Sequence, residues 1–191
     1  MTAKSTIPKD AELMFSWVRS QIYQWDQIVY DGSVRRFELI RFIDGAFVLP
    51  ILPDGRILLT RQEQPGRSEF ISLPGGSFDS PDEDPVMCAR RELREETGYT
   101  TDTLVEWMTY HGTNNVHTQV HYYIARDCTY EWEIEGDGGE KITLLTVSFD
   151  EFLDLSSDPG FHHHWNLLPI LYEARLHPDK KAALKKILYG V

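Results

Sequence analysis

Residues 73–99 read Leu-Pro-Gly-Gly-Ser-Phe-Asp-Ser-Pro-Asp-Glu-Asp-Pro-Val-Met-Cys-Ala-Arg-Arg-Glu-Leu-Arg-Glu-Glu-Thr-Gly-Tyr, and no other stretch limits the fold as tightly. Its second half predicts a helix over Asp84 to Thr97. Asp84 supplies an N-cap oxygen, and Pro85 stands where a first-turn proline is tolerated. Gly98 takes the left-handed backbone that ends a helix. Val86, Ala89 and Leu93 make an apolar stripe for the core. Glu92, Glu95 and Glu96, at i, i+3 and i+4, fall within roughly a 100° arc of one face.

Three carboxylates that close repel one another unless a cation joins them. One source is local: Arg90, Arg91 and Arg94 lie in the same helix, and Arg91 reaches Glu95 at i, i+4. The other is a divalent ion. Oxygen-only ligands on a rigid element suit Mg²⁺ or Mn²⁺, which take a few carboxylates together with water and substrate phosphate. Pro74-Gly75-Gly76 precedes the loop into the helix, where glycine lets backbone approach a metal or phosphate and a carbonyl can serve as ligand.

The charge balance fits the second source. Nineteen basic residues against 30 acidic ones leave a net charge of −11, which argues against sequence-independent nucleic-acid binding. An acidic chain that handles phosphate needs a cation between itself and the substrate. Apolar residues at 41% and charged ones at 26% exclude wholesale disorder. No apolar run approaches the roughly 18–20 residues of a membrane span, and the polar start Met1-Thr-Ala-Lys-Ser is not a signal peptide. Two cysteines, Cys88 and Cys128, build no disulfide framework, so a reduced cytoplasmic setting is expected.

A length of 191 residues suits one domain, residues 1–191. Residues 8–20 predict a short helix capped by Asp10. Ile22 to Phe42 reads as strand broken by the turn Asp31-Gly32-Ser33, and Ala46–Ile51 with Arg56–Thr60 as a hairpin about Pro53-Asp54-Gly55. Glu69–Leu73, Leu104–His111, Gln119–Arg126 and Lys141–Phe149 are further strands. Short helices follow at 150–155, 166–177 and 178–189. This divides the chain into an N-terminal extension (1–42, helix and strands), a core (43–157) and a C-terminal helical region (158–191). The fold class is α/β (α+β). Three consecutive histidines, His162-His163-His164, cannot converge on one ion and read as a surface loop.

The segment resembles the Nudix hydrolase family, whose signature is Gly-x5-Glu-x7-Arg-Glu-U-x-Glu-Glu-x-Gly-U with U bulky and apolar. From Glu83 onward the match is complete through Arg91, Glu92, Leu93, Glu95, Glu96, Gly98 and Tyr99. Six identities at fixed spacing arise by chance about once in 10⁷ windows. One departure is a sixth residue between Gly76 and Glu83, which falls in the loop Asp79-Ser80-Pro81-Asp82 where an insertion costs little.

The resemblance implies an α/β/α sandwich with a mixed β-sheet, and cleavage of a nucleoside diphosphate derivative by water with Mg²⁺ (or Mn²⁺) as cofactor. Glu92, Glu95 and Glu96 become metal ligands together with the Gly75 carbonyl, and Glu92 is counted as catalytic. Glu83 and Arg91 support the metal site. Arg61 and Gly76 become substrate-binding residues. The general base is sought in the acidic stretch Glu131–Glu140: Glu140 is the candidate, with Glu131, Glu133 and Glu135 its competitors. Arg61-Gln62 and the strands about Val29-Tyr-Asp-Gly32 are similar to the ADP-ribose pyrophosphatase branch, whose N-terminal part helps form a homodimer. Two features depart from that branch: Ser72-Leu73-Pro74-Gly75-Gly76 replaces Glu-Pro-Ala-Gly, and His111–His117 replaces Ser-Pro-Gly. ADP-ribose or another nucleotide sugar is the expected small-molecule partner. The alternatives are a nucleoside triphosphate or dinucleoside polyphosphate hydrolase, and a non-catalytic nucleotide-sugar sensor.

Overall fold

The computed structural model describes residues 7–112, 115–134, 139–162 and 166–190. At the N-terminus a strand replaces the helix expected over 8–20. β1 (Glu12–Ser16) pairs antiparallel with β2 (Ser20–Ile28), with an irregularity between Leu13 and Phe15. Phe15, Trp17 and Val18 favour strand over helix, and pairing with β2 satisfies a backbone that a short isolated helix would leave marginal. The turn at Asp31-Gly32-Ser33 forms as expected, Gly32 at φ 81° and the Ser33 N–H donating to Asp31 Oδ1 at 2.8 Å. β3 (Val34–Phe42) then pairs with β2 along its whole length, from Ser20↔Phe42 to Ile28↔Val34.

β4 (Gly45–Pro50) and β5 (Ile57–Glu63) flank the Pro53-Asp54-Gly55 turn, but their hairpin ladder is limited to the bridge Ile51↔Ile57. Beyond it the two strands separate into different sheets, because each has longer partners. β5 lies between β6 (Phe70–Ser72) and β13 (Lys141–Val147). β4 lies between β7 (Gly75–Ser77), antiparallel, and β11 (Gln119–Arg126), parallel, with β9 (Thr103–His111) beyond β11. The two-residue strands β8 (Tyr99–Thr100) and β12 (Thr129–Tyr130) pair with each other. β10 (Val116–His117) runs parallel to β3 at Ile40–Arg41 and ties the N-terminal ribbon to the rest.

Helices cover both sides of the central strands. α1 (Pro85–Thr97) packs Cys88, Ala89 and Leu93 on Ala46, Val48, Leu58, Tyr123 and Ala125. On the other side, α2 (Phe149–Asp154), α3 (Leu167–Leu176) and α4 (Pro178–Tyr189) pack Phe152, Leu167, Leu171 and Leu188 on Leu49, Ile57, Leu59, Tyr122 and Ile124. The alternation along the strands, Leu58 to one layer and Ile57 and Leu59 to the other, is the period of two that a sheet buried on both faces requires. This is the expected α/β/α sandwich with mixed strand directions. Among the described residues no helix is long and apolar enough to cross a membrane.

Candidate active site

α1 is built as its sequence dictates. The Asp84 carboxylate accepts from the amides of Val86 and Met87 at 2.8 and 3.2 Å, and Gly98, at φ 72°, donates to the Arg94 carbonyl. The buried stripe includes Cys88, Ala89, Leu93 and Thr97, and also Glu92. The carboxylates are therefore not on a solvated face. Glu92 stands 9% exposed against β7, Glu96 follows one turn on towards β5, and Glu95 lies at the rim. Glycine makes this approach feasible: a Cβ on Gly76 would stand 2.6 Å from Glu92 Oε1, and one on Gly75 would stand 2.4 Å from the Ala46 carbonyl.

Arg91 is the hub of the cluster. Its Nε lies 3.2 Å from both Glu83 Oε1 and Asp79 Oδ2, and its Nη1 lies 2.7 Å from Glu92 Oε1 and 3.2 Å from Glu95 Oε2. Its Nη2 donates to the Ser77 carbonyl at 3.1 Å, so the guanidinium ties helix, loop and β7 together. The expected Arg91–Glu95 pair exists, as one contact among several. Burial works against the charge of Glu83, but Arg91 and the Asp79 N–H (2.7 Å) hold its carboxyl below its usual range. The extra residue before Glu83 is accommodated in a turn closed by the Glu83 N–H donating to Ser80 O, and the same loop brings Asp79 to Arg91. Sequence reasoning gave Asp79 no part in the site.

Glu96 is held differently, by neutral donors. The Gly75 N–H donates to its Oε2 at 3.0 Å, and Gln62 Nε2 to its Oε1 at 3.3 Å. The residue keeps a partly exposed edge, yet its carboxyl is pushed up to about 8, first by burial and then by Glu92 and Glu140. Burial also raises Glu92 despite Arg91 beside it. Gln62 is another residue that sequence reasoning left out of the site. The strand puts it there: along Thr60-Arg61-Gln62-Glu63 the burial alternates in, out, in, out, which points a polar amide into the layer under α1.

Glu140 lies close enough to add to the rise at Glu96, and Gln64 Nε2 donates to its Oε1 at 2.5 Å. Glu131 and Glu133 are exposed, and Glu135 lies outside the described residues. The Glu131 and Trp132 amides both donate to the Gly98 carbonyl, so the start of the acidic stretch docks on the C-cap of α1. Arg61 projects outward from β5 and meets Glu69 at 3.5 Å. Cys88 is enclosed, and burial pushes its thiol up to about 12, the opposite of what a nucleophile needs. His162 is exposed and stacks on Phe70 at 5.3 Å, while His163 and His164 lie outside the described residues.

Among the described residues no three acidic, His or Cys side chains are already gathered around one point as ligands, because Arg91 draws Glu92 and Glu95 to itself. The donor set nevertheless suits a hard divalent ion. Glu92, Glu95 and Glu96 offer oxygen alone, and four carboxylates share the single guanidinium of Arg91. A fifth, Glu96, sits deep with only neutral donors, so a cation there would favour the ionised form that burial otherwise disfavours.

Known proteins resemble the chain over these same elements. Residues 41–169 match the model of the NUDIX domain. The chain is 26% identical over 155 residues to the ADP-ribose pyrophosphatase of Bacillus subtilis (strain 168), a span covering 80% of this chain and 82% of that protein. It is 25% identical over 146 residues to the methanol dehydrogenase activator of Bacillus methanolicus, covering 74% and 78%. The fold is similar to the crystal structure of an ADP compounds hydrolase, with a TM-score of 0.71 and 22% identity over 95% of this chain and 97% of that one.

Proposed function

The chain belongs to the Nudix family, and from that premise we propose that it is a divalent-metal-dependent pyrophosphohydrolase that cleaves ADP-ribose or another nucleoside diphosphate sugar. The observation that carries the reading is the intact carboxylate set between two sheets, with Glu96 fixed by the Gly75 amide and Gln62. The name of the Bacillus subtilis relative supports ADP-ribose as the first substrate to try.

Glu92, Glu95, Glu96 and the Gly75 carbonyl would hold Mg²⁺ or Mn²⁺. When bound, that ion supplies charge neutralisation and Lewis acidity at the diphosphate. The chain's own residues do the rest. Arg91 and Glu83 keep the carboxylates in place by ion pairing. Gly76, with no side chain, lets the Glu92 carboxylate close against the backbone, and would meet the substrate beside it. Arg61, half exposed near the end of β5 and paired with Glu69, would donate to phosphate. Glu140, oriented by Gln64, takes the proton of the attacking water. Water adds to one phosphorus as the anhydride P–O bond breaks, giving AMP and ribose 5-phosphate from ADP-ribose.

The partner we assign to the N-terminal ribbon is a second copy of the chain. Leu13, Phe15, Ile28, Val34 and Phe37 are exposed there, more apolar surface than a lone three-stranded ribbon leaves to water. The same surface supports a second reading, taken from the name of the Bacillus methanolicus relative: a regulator that docks on another enzyme. The two buried free thiols agree with a reducing cytoplasm.

The test is a hydrolysis panel with Mg²⁺ or Mn²⁺, with and without chelator, over ADP-ribose, other nucleotide sugars, dinucleoside polyphosphates and nucleoside triphosphates. Chelator-sensitive AMP and ribose 5-phosphate are expected. Cleavage of a triphosphate or dinucleotide instead keeps the chemistry and discards the substrate. No turnover, with tight binding of one ligand, promotes a sensor or regulator. Glu96→Gln should keep the fold and lower kcat by about 10³-fold or more, the worth of several kcal/mol of metal-dependent stabilisation. Full activity in that variant would falsify the metal assignment.

A further inference from the structure

We infer that Gln62 is a positioning residue for the metal site, acting through Glu96 as the end of a buried polar relay that starts at the Ser72 carbonyl. The inference rests on the hydrolase reading above and adds to it a residue outside the family signature.

The relay is continuous. The Thr60 hydroxyl donates to the Ser72 carbonyl at 3.2 Å. Having given its proton away, that hydroxyl can only accept from Gln62 Nε2, which it does at 3.0 Å. The second proton of the same amide nitrogen goes to Glu96 Oε1 at 3.3 Å. Thr60, Gln62 and Ser72 are 0, 4 and 4% exposed, so water does not compete for these groups. Each link fixes the next. Thr60 sets the plane of the Gln62 amide, and the amide sets which way the Glu96 carboxylate faces.

The far oxygen of Glu96 is pinned as well, by the Gly75 N–H. The carboxylate is thus clamped from two strands, β5 through Gln62 and β7 through Gly75. Each oxygen has one lone pair engaged and one left for an ion. Glutamine suits the position because its amide carries two donor protons on one nitrogen and no charge. A lysine or arginine there would neutralise Glu96 and compete with the metal, and a glutamate would repel it. Residues that orient metal ligands in this way typically change metal affinity 10–100-fold when lost.

The experiment measures Mn²⁺ alone, by the electron paramagnetic resonance signal of the free ion, titrated into the full chain with near-ultraviolet circular dichroism as the check on folding. Gln62→Met keeps the volume and removes both donors, and should weaken Mn²⁺ binding by about tenfold or more. Thr60→Val removes only the hydroxyl that aims Gln62, and should weaken it by a smaller factor, about threefold. Thr60→Ser, which restores the hydroxyl, should bring the affinity back. In a Glu96→Gln background, Gln62→Met should have no further effect. A Gln62→Met protein that folds and binds Mn²⁺ like wild type overturns the inference, as does an equal loss in the Glu96→Gln background. Wild-type protein that binds no Mn²⁺ overturns the hydrolase reading itself, a different and recognisable result.

Discussion

The carboxylate wedge and the N-terminal ribbon handle awkward groups in opposite ways. Under α1 the protein buries charge and supplies partners for it: Arg91 for Glu83, Glu92 and Glu95, the Gly75 amide and Gln62 for Glu96. In the ribbon it exposes apolar surface. All of β1 lies open, and along β3 Leu39 is the buried residue. The ribbon's charges, in turn, sit in water: Arg36 meets Glu12 at 2.8 Å and Asp26 at 3.2 Å with all three side chains well exposed, an arrangement worth little. Buried charge costs stability and is tolerated where chemistry needs it. Exposed apolar surface costs solubility and is tolerated where something covers it. On the reading proposed above, one region would hold a cation and the other would meet a partner.

The sharpest way to break this contrast is to remove the cost of the buried charge. Burial, and then the neighbouring Glu92, push the Glu96 carboxyl up to about 8, against 4.5 for a free glutamate. A carboxyl raised in this way contributes its full stability below the unfolded pKa, and that contribution is lost as pH rises towards the folded one. Metal-free protein should therefore lose stability between about pH 4.5 and 8, by up to roughly 5 kcal/mol from this group. Urea unfolding across that range, compared with Glu96→Gln, isolates the effect because the variant lacks the titration. Two parallel curves would mean that Glu96 is not buried as a charge at all.

The next test asks whether the wedge and the acidic stretch form one unit. Gly98 ends α1 at φ 72°, and its carbonyl accepts the Glu131 and Trp132 amides. A Cβ there would stand 2.1 Å from the Trp132 carbonyl oxygen and 2.7 Å from the Tyr130 ring. Gly98→Ala combines left-handed strain with overpacking and should cost about 3 kcal/mol in unfolding free energy. Because the displaced segment leads to Glu140, kcat should fall with it. A loss below about 1 kcal/mol would show that the segment moves aside freely and that α1 ends without its help.

How much of this was legible in the sequence divides along the same line. α1 was, down to its cap at Asp84, its proline and its terminal glycine, because each signal is local and all agree. Gln119–Arg126 and the turn at Asp31-Gly32-Ser33 were legible for the same reason. The failures are places where a distant partner decides. Residues 8–20 carry mixed helix and strand signals, and only pairing with β2 settles them as strand. The turn at Asp54-Gly55 was read correctly, but nothing local says that β4 and β5 then part for β11 and β13. At the site, the glutamates could be read from their spacing on one helix. Gln62 and Asp79 reach that cluster from a strand and a loop remote in sequence, so their roles became visible only in three dimensions.

The smallest effect on the core is expected from the ribbon, and its readout is assembly rather than stability. Trp25 and Phe37 stand opposite each other across β2 and β3, ring centres 6.0 Å apart, and Tyr23 pairs with Leu39 and Leu13 on the same face. Phe37 is 41% exposed, so changing it removes little packing within one chain. Phe37→Lys should alter unfolding free energy by less than about 1 kcal/mol, since it opens no buried cavity. If this face joins two copies, the same change places a charge in an apolar interface, and the dimer dissociation constant should rise at least tenfold, about 1.4 kcal/mol. Sedimentation velocity over a concentration series measures this directly. Wild-type protein that stays monomeric at high concentration removes the second copy as occupant and leaves the docking of another protein as the reading of the ribbon.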